Sequence, residues 1–92
     1  MIMPTEGYRV VTEYHFEVHG EVFAITDSTD DMVWVEEVRK NGQEDCHVSG
    51  CLIRRADGKF VWDEGEHLFM TYGSRGLADG IRHYLDDYGI PG

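Results

Sequence analysis

Positive charge is scarce in this chain. Eight Lys and Arg stand against eighteen Asp and Glu over 92 residues, a formal charge of −10. A protein that neutralises a phosphate backbone or docks on anionic lipid needs the opposite balance, so neither nucleic acid nor a membrane surface is expected as a partner. Long apolar runs are missing as well. No stretch of about 18 apolar residues is available to cross a bilayer as a helix. The start, Met1-Ile2-Met3-Pro4-Thr5-Glu6, lacks the basic and apolar regions of a signal peptide, and a cytoplasmic location is the expectation. Proline occurs only at positions 4 and 91, and no Ser/Gly run, repeat or low-complexity segment marks a linker. The two cysteines, Cys46 and Cys51, are too few for a disulfide framework.

What is present suits a single small core. Hydrophobic residues make up 41% of the chain and aromatics 12%, enough to fold and too much for a disordered segment. The expectation is one domain over 1–92: a flexible segment at 1–7, an antiparallel sheet over 8–72 and a helix over 75–88. The acid is uneven. Residues 1–38 hold nine carboxylates and a single base, Arg9, whereas residues 39–92 hold nine carboxylates and seven bases. Such asymmetry builds either a solvated surface or an acidic face that steers a cationic partner.

Three hairpins are expected. Tyr8, Val10, Tyr14, Phe16 and Val18 alternate with polar residues, and His19-Gly20 follows as a two-residue turn. Antiparallel register then pairs Phe16 with Phe23 and Tyr14 with Ile25, which sorts apolar from polar side chains. The second hairpin turns at Asn41-Gly42 and pairs Arg39 with Glu44, Val35 with Val48 and Trp34 with Ser49. A helix over 31–40, capped by Thr29 or Asp30, is the rival there, but the valines at 33, 35 and 38 favour a strand. The third hairpin turns at Asp57-Gly58 and pairs Arg55 with Phe60, Arg54 with Val61 and Ile53 with Trp62. These registers place Met32, Trp34, Cys51, Ile53, Phe60 and Trp62 on one sheet face. Val33, Val35, Val48, Leu52 and Val61 fall on the other. A sixth strand is expected over 67–72.

The helix is the clearest element. Ser74 is a good N-cap, Leu77, Ile81, Tyr84, Leu85 and Tyr88 follow at helical spacing, and Gly89 stands where a C′ residue belongs. Gly76 and Gly80 offer a close approach on one side of it. The fold class is therefore α+β: an antiparallel meander of five to six strands packed by one C-terminal amphipathic helix. One helix covers one face, and the sequence leaves open which face it takes.

Chemistry is harder to find. Cys46-His47-x-x-x-Cys51 has the residue types of a metal site, but residues an odd number apart on a strand diverge to opposite faces, and reduced structural thiols fit better. Ser28, Ser49 and Ser74 read as turn, strand and cap, without a nucleophile motif. Gly73-Ser74-Arg75-Gly76 reads as a helix start rather than a phosphate loop. No catalytic, cofactor-binding or metal-binding set is therefore assigned, and the expectation is that this is not an enzyme.

Two features suit a partner. Asp86 and Asp87 occupy the last helical turn, where the macrodipole disfavours negative charge, and with Tyr88 they form an acidic tip. Glu36, Asp30, Asp31 and Trp34 add carboxylates and an aromatic anchor. The functional expectation is a small acidic non-catalytic binding module, of the inhibitor or immunity-protein type, holding a basic protein surface. A homodimer through the spare sheet face is compatible with it. The alternative is a small-ligand domain or enzyme with a pocket between helix and sheet near Trp34, Trp62, His67 and Tyr72.

Overall fold

The first hairpin follows directly from its turn. In the computed structural model, which describes residues 14–39, 42 and 46–90, β1 (Tyr14–Val18) pairs antiparallel with β2 (Glu21–Ser28). The register is Phe16 opposite Phe23 and Tyr14 opposite Ile25, as expected. His19 and Gly20 both take positive φ, 52° and 83°. That is the type I′ pattern, whose twist matches the flanking strands. The expected strand residues 8–13 lie outside the described residues.

β3 (Met32–Glu37) is a strand, not a helix, and pairs with β2 across a bulge. Ile25 faces Val35 before the bulge, and Asp27 faces Trp34 after it. The extra residue reverses the parity of β2, so Asp27 ends on the same face as Trp34.

The second register differs from expectation. β3 pairs with β4 (Val48–Arg54) as Val33 with Leu52, Trp34 with Cys51 and Val35 with Gly50, two residues away from the expected pairing. A slip of two keeps every side chain on its face, so the assignment of faces survives for both strands. β3 ends at Glu37 and β4 starts at Val48, and the expected Arg39–Glu44 pairing falls outside the described residues. Of Asn41-Gly42 only Gly42, at φ +88°, lies among the described residues.

The third register is off by one, and here the faces change. β4 pairs with β5 (Phe60–Trp62) as Leu52 with Trp62 and Arg54 with Phe60. Arg55 and Lys59 close the loop, with the Arg55 N–H donating to the Lys59 carbonyl at 2.7 Å and Gly58 at φ +86°. Three residues, not two, make this turn: a type I turn followed by a left-handed glycine. Phe60 and Trp62 therefore join the valine face instead of the Trp34 face, and Val61 moves the other way.

β6 (Leu68–Met70) also pairs with β4, opposite Val48–Gly50. β5 and β6 thus follow one another along the same edge of β4, interrupted by residues 63–67. Cys51 donates its N–H to His67 O at 2.7 Å and accepts from Asp63 N at 2.9 Å across that interruption. A Cβ on Gly50, whose φ is +154°, would collide with the His67 carbonyl, so glycine is what lets the excursion close on β4. The sheet order is β1-β2-β3-β4-β5 with β6 on β4, an antiparallel open sheet of six strands.

α1 (Arg75–Tyr88) packs across one face of this sheet. Ala78, Ile81 and Leu85 are fully buried against a core of Phe23, Val33, Val48, Leu52 and Phe60. The Trp62 indole N–H donates to Ala78 O at 2.9 Å, which locks that ring under the helix. Gly80 earns its place: a Cβ there would come within 2.5 Å of Val18 Cγ1 and 3.0 Å of the His19 ring, so the first hairpin leans directly on the helix backbone. Gly76, by contrast, faces open space. Gly89 takes φ +76° and donates its N–H to Leu85 O at 2.8 Å, as a C′ residue should. At the other end Ser74 does not cap with its side chain; its hydroxyl instead pairs with the Thr71 hydroxyl at 2.7 Å.

Candidate functional site

The helix takes the valine face, which decides what is left uncovered. Among the described residues no element packs on the other face of the sheet. Alternation puts Met32, Trp34, Ile53, Val61 and Phe69 there, together with Ala24 and Cys51, which are buried. Phe69 is 51% exposed, a large apolar surface in contact with water. Glu36 is exposed on the same face, and Asp27 stands directly across from Trp34. Burial pushes the Cys51 thiol up, with the nearby Asp63 carboxylate adding to the shift, which favours the protonated form. Both cysteines are free thiols.

The acidic residues expected to bind a partner fall in three places. Asp30 and Asp31 are exposed in the β2–β3 turn, where the Thr29 hydroxyl accepts the Asp31 and Met32 N–H groups at 3.3 and 3.1 Å. Asp31 O accepts the Arg54 N–H at 2.7 Å, which ties this turn to the end of β4. Arg54 in turn pairs with Phe60, whose N–H donates to Asp86 Oδ1 at 2.8 Å. The β2–β3 turn and the helix C-terminus therefore share one end of the sheet. Asp86 is not a free tip, however. Its side chain is 8% exposed and closes the edge of β5, with the Arg82 guanidinium 3.7 Å away. Asp87 and Tyr88 remain exposed. Glu36 and Trp34 belong to the open face, so the seven residues do not form one patch.

The pocket expected near Trp34, Trp62, His67 and Tyr72 does not form. Trp34 and Trp62 lie on opposite faces, Tyr72 is fully exposed, and His67 sits on the 63–67 excursion with its Nδ1 2.9 Å from Asp63 Oδ2. That carboxylate holds the His67 pKa above its ordinary value.

A cleft does exist at the opposite end of the sheet. It has a volume of about 360 Å³ and is lined by His19, Glu21, His47, Gly73, Ser74, Gly76 and Leu77. The first hairpin turn and the start of β4 form one wall, and the start of the helix forms the other. Behind it lies Glu37, whose side chain has no exposed surface. Parity explains its position: Val33, Val35 and Glu37 alternate on the helix face of β3, and Phe23 is the cross-strand partner of Glu37. Beyond Val35 the backbone ladder to β4 is replaced by this side chain. Glu37 Oε1 accepts the N–H groups of His47 at 2.7 Å and Val48 at 3.3 Å. Glu37 Oε2 lies 2.9 Å from His47 Nδ1, and the His47 side chain is 46% exposed. Glu21 joins them: one donor atom from each of Glu21, Glu37 and His47 lies within 4.8 Å of the others.

Sequence reading missed this group. Residues 21, 37 and 47 show no motif spacing, and only register brings them together. One signal was legible, a carboxylate at an apolar-parity position of β3.

Comparison with known protein families, with curated proteins and with solved structures finds no match to this chain.

Proposed function

We propose that this protein is a non-catalytic binding module that holds a second protein, one with a basic surface, on the open face of its sheet. The observation that carries the reading is Phe69, 51% exposed, on the same sheet face as the half-buried Trp34, a face that the helix does not cover, with the carboxylates of Asp27 and Glu36 on it. Aromatic side chains ringed by polar groups are the usual anchors of an interface. Asp27 and Glu36 are exposed on the same face, Asp27 directly across from Trp34, and the whole chain carries −10. Such a field favours cationic partners and speeds their approach, most strongly at low salt.

Capture of the partner from lysate by the tagged protein, by Trp34→Ser/Phe69→Ser and by Asp87→Asn, each at low and high salt, tests this. A basic protein retained by wild type and by Asp87→Asn, lost from the double variant and weakened by salt, is the expected result. Equal retention by all three proteins overturns the assignment of the face.

One observation favours a second reading, that of a small-ligand domain. The 360 Å³ cleft has the size of a ligand site and combines polar groups with the Leu77 side chain.

A further inference from the structure

The cleft contains more than shape. Glu21, Glu37 and His47 come from the start of β2, the end of β3 and the residue before β4, and their donor atoms meet within 4.8 Å. An ion with ligand bonds of about 2.0–2.2 Å holds its ligands at most about 4.4 Å apart. The three groups therefore need to close by only a few tenths of an ångström. Glu37 is positioned by two backbone N–H groups and His47 by its own backbone on Glu37 Oε1, and an ion would take the place of the 2.9 Å contact between Glu37 Oε2 and His47 Nδ1.

We propose that Glu21, Glu37 and His47 form a site for a single divalent transition-metal ion of the zinc class, open to the cleft. Two carboxylates and a neutral imidazole match the charge of a dication. The donor set selects the class. An imidazole suits Zn²⁺ and its neighbours, whereas Mg²⁺ and Ca²⁺ prefer oxygen alone. Three protein ligands leave a fourth position, the arrangement of an open rather than a closed zinc site. That position faces the cleft, whose far wall is the start of the helix, the dipole end that favours an anionic or water ligand. His19 lines the same cleft and is the described non-glycine residue at positive φ, 52°. This inference stands apart from the partner-binding reading: it concerns a different end of the molecule.

Titration of the metal-free full chain with Zn²⁺, followed by calorimetry and by thermal unfolding, tests it. The expected result is one equivalent bound with a Kd of about 1 μM or tighter, and a melting temperature that rises with Zn²⁺ concentration. Glu21→Gln and His47→Asn, which keep the backbone contacts, are each expected to weaken binding on the order of 100-fold. Cys46→Ser and Glu36→Gln are expected to bind as wild type. Absence of stoichiometric binding by the wild type overturns the proposal. So does unchanged affinity in both ligand variants when circular dichroism shows them folded. Loss of binding in Cys46→Ser moves the site elsewhere and overturns it equally.

Discussion

Glu37 and His47 are joined twice. Glu37 Oε1 accepts the His47 backbone N–H at 2.7 Å, and its Oε2 lies 2.9 Å from the ring Nδ1 of the same residue. A buried carboxylate is costly unless its lone pairs are used, and here the strand start of β4 uses them. Glu37 thus does for β3 and β4 what further ladder pairs would have done.

Truncation of this carboxylate should be felt throughout the sheet. Glu37→Ala leaves the His47 and Val48 N–H groups without their acceptor, at a cost of about 2–4 kcal/mol. Glu37→Gln keeps one acceptor oxygen and should lose less. Urea unfolding monitored by circular dichroism checks both, and an unchanged midpoint for Glu37→Ala would remove the bracing role.

The helix C-terminus carries a second pair, the Tyr14 and Tyr84 hydroxyls, 2.6 Å apart. Their hydrogen bond, together with burial, pushes the Tyr84 phenol up to about 12 from its ordinary value near 10. A raised pKa stabilises the protonated fold, so this contribution is complete below pH 10 and is lost as the pH climbs through about 12. Phenolate absorbance in alkaline titration should show one late tyrosine. In Tyr14→Phe that late step should move back toward the ordinary range.

The three-residue loop at 56–58 has an optical consequence. Trp62 is 6% exposed and held by Ala78 O, whereas Trp34 lies half-buried on the open face. Acrylamide should quench Trp62→Phe, which retains Trp34, more strongly than Trp34→Phe, which retains Trp62. Equal quenching of the two variants would contradict the assignment of faces.

Asp86 and Asp87 are neighbours with different duties. Asp86→Ala removes the acceptor of the Phe60 N–H and should destabilise the fold by about 1–2 kcal/mol. Asp87→Asn removes an exposed charge from the unfavourable end of the helix dipole, and should be neutral or stabilising by up to about 0.5 kcal/mol. Thermal melts of the two variants separate these roles.

Local chemistry made much of this legible from the residues. The His19-Gly20 turn set the first register because a two-residue type I′ turn admits one pairing. The helix bounds were written in Ser74, the 3.6-residue spacing and Gly89. The second register was displaced by two, which period-two strands tolerate without changing faces. The third was displaced by one, and that small difference exchanged Phe60 and Trp62 for Val61. A dipeptide such as Asp57-Gly58 serves two-residue and three-residue turns alike, so the residues alone do not choose between them.

By itself, then, the sequence determined the α+β class, the closing helix, the first hairpin and an acidic surface, all of which rest on contacts between near neighbours in the chain. Tertiary structure alone decided which face the helix covers, that Asp86 turns inward to β5, and that Glu21, Glu37 and His47 meet beside a cleft. Those outcomes depend on strand register and on packing between distant segments. One residue more or less in a turn reverses every side chain that follows it in the strand.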